Sequence, residues 1–268
     1  EMTVYSVGGG AIRIEGEECG EGQDVYPHHS LKEIQEYCFA KEMELWEYVD
    51  AFDPMDDYIE KIMEQMMATV ESGLSKEGVL PGDLHLERIA KELKDKADSC
   101  KSAVEKEKLL LSAYAYAASE ENAGGSMTVT APTLGSSGIL PSLVTYYHKD
   151  LGYEKEIICK GLKVAGLFGN LIKENATISG AQGGCQAEIG AAVSMGAAMV
   201  AYLRGLNAAQ IEYAAEIGIE HHLGLTCDPV GGYVMIPCIE RNAVGVLRAI
   251  DAAIIAQGVS EVRDHKVS

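Results

Sequence analysis

At 268 residues, 47% hydrophobic and 24% charged, the chain can bury a sizeable core without disulfide or metal staples, and its composition is that of a globular protein rather than a disordered or membrane one. A formal charge of −19 with only 22 Lys and Arg excludes nucleic acid, whose phosphates demand clustered basic side chains, and disfavours anionic lipid surfaces. Seven cysteines, odd in number and without regular short spacing, do not make a secreted disulfide framework, so a cytoplasmic setting is expected.

The first elements are two short β-rich runs, Thr3 to Val7 and Ala11 to Ile14, on either side of Gly8-Gly9-Gly10. Two strands are poorly stable alone. Residues 15–29 are polar, carry Cys19 and the pair His28-His29, and show no apolar period. They read as a linker, which divides the chain into a β remnant with linker, 1–29, and a main domain, 30–268. A sequence that opens Glu1-Met2-Thr3 and closes His265-Lys266-Val267-Ser268 reads as a piece of a longer protein.

From residue 30 the pattern turns helical. Ser30-Leu31-Lys32-Glu33 is a capping box and predicts a helix through about Val49. Asp53-Pro54 offers an N-cap with proline at the first helical position, followed by Ile59, Ile62, Met63, Met66 and Val70 at three and four spacing and by Gly73 as a natural stop. Met63, Met66 and Met67 read as core filler rather than a binding surface. Helices are expected over 84–94 and 98–120. The second half is rich in small residues, with Ala-rich helices near 141–149, 156–174, 186–203, 208–221 and 241–257. Pro141 suits a first helical turn, and Asn207 with Gln210 makes another cap pair. The expected fold class is mostly α, a compact all-helical domain behind a short N-terminal β remnant. The apolar run 187–203, interrupted by Glu188, lies at the lower limit of a bilayer span, and no membrane association is expected.

Three glycine-rich loops stand out: Glu121 to Gly125, Thr130 to Gly138 and Ser179 to Cys185. Such loops expose amides at a helix start and can bind a carboxylate or phosphate, although tight helix packing calls for the same composition. None is a P-loop or a dinucleotide fingerprint. Among the cysteines, Cys19, Cys38, Cys100 and Cys159 fall in linker, helical or charged surroundings and read as structural. Cys185, Cys227 and Cys238 instead sit in Gly183-Gly184-Cys185-Gln186, Thr226-Cys227-Asp228-Pro229 and Ile236-Pro237-Cys238-Ile239, loops that can bring sulfur to a metal. Cys185 falls at a helix N-terminus, where the dipole favours the thiolate. The intervals of 41 and 10 residues between them match neither a zinc knuckle nor a ferredoxin run. By spacing alone, three unligated core thiols are the plainer reading.

The stretches Ser179 to Gly190, Thr226 to Asn242 and Ala131 to Pro141 resemble the α (catalytic) region of the bacterial iron–sulfur L-serine dehydratases, over roughly residues 30–268. Tyr5-Ser6-Val7-Gly8-Gly9-Gly10 looks like the end of that family's β region. The resemblance implies that Cys185, Cys227 and Cys238 hold a 4Fe-4S cluster, leaving one iron without a protein thiolate. That iron would act as a Lewis acid for the departing hydroxyl of L-serine, while a base removes the α-proton and the product decays to pyruvate and ammonia. No pyridoxal phosphate is implied. The same open iron would also serve a lyase acting on L-cysteine or another β-substituted amino acid, and a third reading is a catalytically silent helical fragment that binds a β domain.

His148, His221 and His222 lie in the relevant half, but ordinary placement at helix ends accounts for them as well; His148 and His222 are kept as candidate bases. The family's suspected base lies in a Ser-Ser-His-Thr motif of the β region, which does not occur in these residues. For a substrate carboxylate the resemblance offers the hydroxyls of Thr133, Ser136 and Ser137, the amides of Gly183 and Gly184, and the charge of Arg241. Leu134-Gly135 departs from the family wording at that loop. Gln182, Asn122 and Asn242 are candidates for supporting hydrogen bonds. The expected partners are L-serine, a β domain in cis or in trans, and further copies of the chain in a homo-oligomer.

Overall fold

Val4–Gly8 (β1) and Ala11–Ile14 (β2) pair antiparallel, with Val4 opposite Ile14 and an irregularity between Ser6 and Gly8. A computed structural model describes residues 3–8, 11–16 and 25–262. Cys19 and most of the expected linker lie outside the described residues. All later regular structure among the described residues is helical, as the composition and periodicity anticipate.

The capping box at Ser30 forms, with Ser30 accepting from the Glu33 amide, and starts α1 (Leu31–Lys41). The helix expected to reach Val49 is two helices. Glu42 turns left-handed at φ 55° to close α1, and a second capping box, Glu44 with Glu47, opens α2 (Leu45–Phe52). A charged residue in that conformation leaves no composition signal. α3 (Asp56–Ser75) begins after Met55, so Pro54 precedes its cap rather than filling the first helical position. Gly73 lies inside α3 and does not stop it. A Cβ there would run into the Ala117 backbone of α5 (Ala103–Ala123), so this glycine lets two helices touch. Met63 and Met66 on α3 are fully buried, as core filler should be.

The helix expected over 84–94 begins later, as α4 (Ala90–Ser99). Residues before it pair back on the chain instead, through Leu80 N–H to the Leu86 carbonyl and Arg88 N–H to the Gly78 carbonyl. The first glycine-rich loop is for the most part the C-terminal turn of α5, capped at Gly124.

The second half follows: α6 (Ile139–Thr145) running on into a π-helical turn at Tyr146–Asp150, α7 (Lys155–Asn175), the single turn α8 (Gly180–Gly183), a π-helical turn at Gln186–Gly190 leading into α9 (Ala191–Leu203), α10 (Ala208–Glu220) and α11 (Cys238–Val262). The Asn207 and Gln210 cap pair is present at the start of α10. α9 is the centre of the domain and is packed by α6, α7, α10 and α11. Small residues permit this: a Cβ on Gly196 would lie 2.8 Å from Leu143 Cδ1 and 3.1 Å from Ala249 Cβ.

Lys163 on α7 ties the early helices to this centre. Its ammonium, 3% exposed, pairs with Asp50 of α2 at 2.5 Å and with Asp56 of α3. Among the described residues, the one helix long and apolar enough to cross a membrane is α11, over Cys238–Ser260. It packs against α5, α9 and α10 through Ala243, Val246, Ala249, Ala253 and Ala256, and Glu240, Arg241, Arg248 and Asp251 interrupt its length.

Candidate functional site

Three loops precede the N-terminal ends of α6, α9 and α11, and side-chain and backbone bonds lash them together. Asn242, 1% exposed on α11, makes the central tie. Its Oδ1 accepts from the Gly138 amide at 2.9 Å, and its Nδ2 donates to the carbonyls of Gly135 at 2.8 Å and Cys238 at 2.9 Å. Gln186 joins the second and third loops, its amide donating to the Leu225 carbonyl at 3.0 Å and its side chain accepting from the Gly224 amide at 2.9 Å. Gly184 makes this fit possible. At φ 73° it takes a left-handed turn, and a Cβ there would lie 3.2 Å from the Leu225 carbonyl oxygen.

This arrangement gathers Cys185, Cys227 and Cys238. The Cys185 thiol, at the head of the π-helical turn, is near enough to both of the others to shift their ionisation. Cys185 and Cys238 are buried and Cys227 is exposed. Burial first, then the neighbouring Cys185, raises the thiols of Cys227 and Cys238, and Glu188 adds to both. Without a metal these two are therefore protonated at neutral pH, and binding one would release protons. Arg241 lies near Cys185, donates to the Thr226 carbonyl at 2.8 Å and pairs with Asp228 at 3.2 Å. The donor set is all sulfur, suited to an iron–sulfur cluster rather than to hard cations. Among the described residues no group of three or more His, Cys, Asp or Glu forms a cage for a single metal ion. Cys38, Cys100 and Cys159 are free thiols, and none of them figures among the causes that raise Cys227 and Cys238.

The polar groups expected to meet a carboxylate are present at this end of the domain but mostly engaged. Thr133 donates to Glu188 Oε1 at 2.7 Å, Ser136 to the Ala131 carbonyl at 3.3 Å and Ser137 to the Leu134 carbonyl at 2.7 Å, all three being buried. The Gly183 and Gly184 amides donate to the carbonyls of Ser179 and Gly180 within α8. Asn122 donates to the Leu134 carbonyl and Gln182 accepts from Thr177. These contacts shape the loops.

The histidines separate. His222 is buried at the end of α10, where Nδ1 donates to the Gly218 carbonyl at 2.7 Å; burial lowers its pKa, and Arg248 and His221 add to that against the Gly218 bond. Its neutral Nε2 is left as an acceptor. Together with His221, Arg241, Arg248, Ile189 and Val244, it lines a groove of 570 Å³ beside the cysteine loops. His148 bonds the Tyr153 carbonyl and lies ten residues beyond Gly138, about 15 Å along the helix.

Glu188 was missed as a site residue. In sequence it is a charge interrupting an apolar run, and that is the one signal it gives, since an acid retained in an otherwise buried helix needs a partner.

The family model of the serine dehydratase alpha chain matches residues 29–268. The L-serine dehydratase of Haemophilus influenzae is 40% identical over 271 residues, covering 95% of this chain and 59% of that protein. L-serine dehydratase 1 of Escherichia coli is 41% identical over 277 residues, with 95% and 59% covered, and the L-serine dehydratase of Streptomyces coelicolor is 40% identical over 285 residues, with 99% and 61% covered. The chain thus spans about three-fifths of the length of these relatives. With three loops folded into one thiol-bearing end and a family match over all of the helical domain, the chain belongs to the serine dehydratase alpha chain family.

Proposed function

We propose that this chain is the cluster-holding part of an L-serine dehydratase, with Cys185, Cys227 and Cys238 as the ligands of a 4Fe-4S cluster. The observation that carries this reading is the convergence of these three thiols, Cys185 from the turn before α9 and Cys227 and Cys238 from the connection between α10 and α11, in a chain whose relatives are named L-serine dehydratases. Held by Cys185, Cys227 and Cys238, such a cluster would supply Lewis acidity for the departing β-hydroxyl of serine.

The chain's own residues have three tasks. Cys185 is presented at the head of the π-helical turn with Arg241 beside it. Asn242 fixes the spacing between Cys238 and the 133–138 loop, so the sulfur ligands and the polar loop move as one body. The loop bonds of Thr133, Ser136 and Ser137 hold that loop in a single shape before substrate arrives, which lowers the ordering cost of binding.

The base that removes the α-proton is supplied by the remaining two-fifths of the enzyme, joined to this chain in cis or in trans. The free thiols of Cys38, Cys100 and Cys159 support a reducing, cytoplasmic setting. The test is anaerobic reconstitution followed by iron and sulfide analysis, then pyruvate release from L-serine, L-threonine and L-cysteine with the remaining segment present. About four irons per chain, lost in Cys227→Ala, with serine as the best substrate is the expected result. A wild-type chain that takes up no iron, or an unaffected Cys227→Ala, would overturn it.

A further inference from the structure

Glu188 combines features that the ligand set and the loop contacts leave unexplained. It lies in the π-helical turn that follows Cys185, the kind of helix irregularity that recurs at functional sites. Its side chain is half-buried. One oxygen, Oε1, accepts from Thr133 at 2.7 Å, and this is its one hydrogen bond among the described residues. No cation pairs with it there, whereas the buried Glu121 elsewhere in the domain has both Lys76 and Arg88. A half-buried carboxylate whose only partner is a hydroxyl is short of positive charge.

The surroundings keep room for that charge. Gly135 and Gly180 flank the carboxylate from two loops. A Cβ on Gly135 would stand 2.9 Å from Oε1 and 3.0 Å from Oε2, and one on Gly180 would collide with Oε2. The carboxylate therefore sits where a larger residue at either position would push it aside. It is also close enough to Cys227 and Cys238 for its charge to act on both thiols.

We infer that Glu188 is the ammonium anchor of the site: Thr133 holds one carboxylate oxygen, and the other receives the α-ammonium of an amino-acid substrate beside the three cysteines. The anchor rests on the amino-acid reading proposed above and sharpens it, since it selects α-amino acids over the corresponding hydroxy acids. The substrate ammonium is the cation that the carboxylate lacks, and the two glycines leave the carboxylate its place.

The test uses the cluster-loaded full-length enzyme and two ligands with no leaving group, L-alanine and L-lactate, which differ by ammonium against hydroxyl. Equilibrium binding is measured by calorimetry, alongside KM and kcat for L-serine. Wild type should bind L-alanine more than tenfold better than L-lactate. Glu188→Gln keeps the acceptor for Thr133 and the shape while removing the charge. It should weaken L-alanine and raise the KM for L-serine by about 10- to 100-fold, with L-lactate changed less than about threefold. Gly180→Ala, which displaces the carboxylate, should act in the same direction and decides the matter if Glu188→Gln does not fold. Equal losses for both ligands, an unchanged Glu188→Gln enzyme, or a collapse of kcat at constant KM would each overturn the anchor while leaving the serine reading intact. A wild-type enzyme that carries its cluster and neither binds nor turns over amino acids would overturn both.

Discussion

Glu120 and Glu121 are adjacent on α5, both 1% exposed, yet they ionise in opposite directions. Burial works against charge on Glu121, but hydrogen bonds from Lys76, Ser72, Ser126 and Arg88 outweigh it and hold the carboxyl down at about 2. Burial raises Glu120 despite the amides of Ile89 and Ala90, which its Oε1 accepts at the head of α4; its Oε2 has no partner among the described residues. A depressed carboxylate contributes stability that is present above the unfolded value, 4.5, and is lost as pH falls toward about 2. A raised one contributes in the reverse sense, present below 4.5 and lost as pH rises through its folded value. Denaturant unfolding from pH 7 to pH 2 should therefore show Glu121→Gln losing about 3 kcal/mol at pH 7, with the deficit shrinking in acid. For Glu120→Gln the difference from wild type should move the other way, growing more unfavourable in acid. Parallel difference curves for the two variants would contradict this account.

Helix existence was legible wherever apolar period and caps agreed, as at Ser30, Asn207 and the Ile59 to Val70 stripe. Boundaries set by long-range contact were not. Gly73 looks like a stop because glycine commonly ends helices, but it exists to admit the Ala117 backbone, and a contact between α3 and α5 leaves no local trace. The break at Glu42 is similar, since nothing marks an acidic residue for φ 55°. The three cysteines were read as one group only through a resemblance to a family; spacing alone could not join loops separated by 41 residues. Glu188 was hidden for the same reason, its place being bordered by Gly135 and Gly180 from two other loops. These two helix positions call for opposite substitutions. Glu42→Gly relieves a left-handed residue and should gain about 1 kcal/mol, a rise of roughly 2–4 °C in Tm. Gly73→Ala should lose roughly 3 kcal/mol or more, because backbone rather than a movable side chain stands in the way. A neutral Gly73→Ala in thermal unfolding would mean that the α3 and α5 contact yields easily.

For the molecule as a whole, the dominant long-range term is charge. With 41 Asp and Glu against 22 Lys and Arg, like-charge repulsion across the surface opposes the compact state. The exposed ion pairs, such as Lys94 with Asp98 and Arg248 with Asp251, each return about 0–1 kcal/mol. The strongly buried pairs, Lys163 with Asp50 and Arg88 with Glu121, are sheltered from ions, because screening acts mainly through solvent. Salt should thus weaken the repulsion more than the attraction. Raising NaCl from about 0.02 M to about 0.5 M shortens the screening length from roughly 20 Å to roughly 4 Å, so Tm should climb by several degrees at pH 7 and by less near pH 5, where the net charge is smaller. A Tm that falls with added salt at pH 7 would mean that surface pairing outweighs repulsion. The acidic excess would then be a set of matched networks rather than a field that the small-residue core has to withstand.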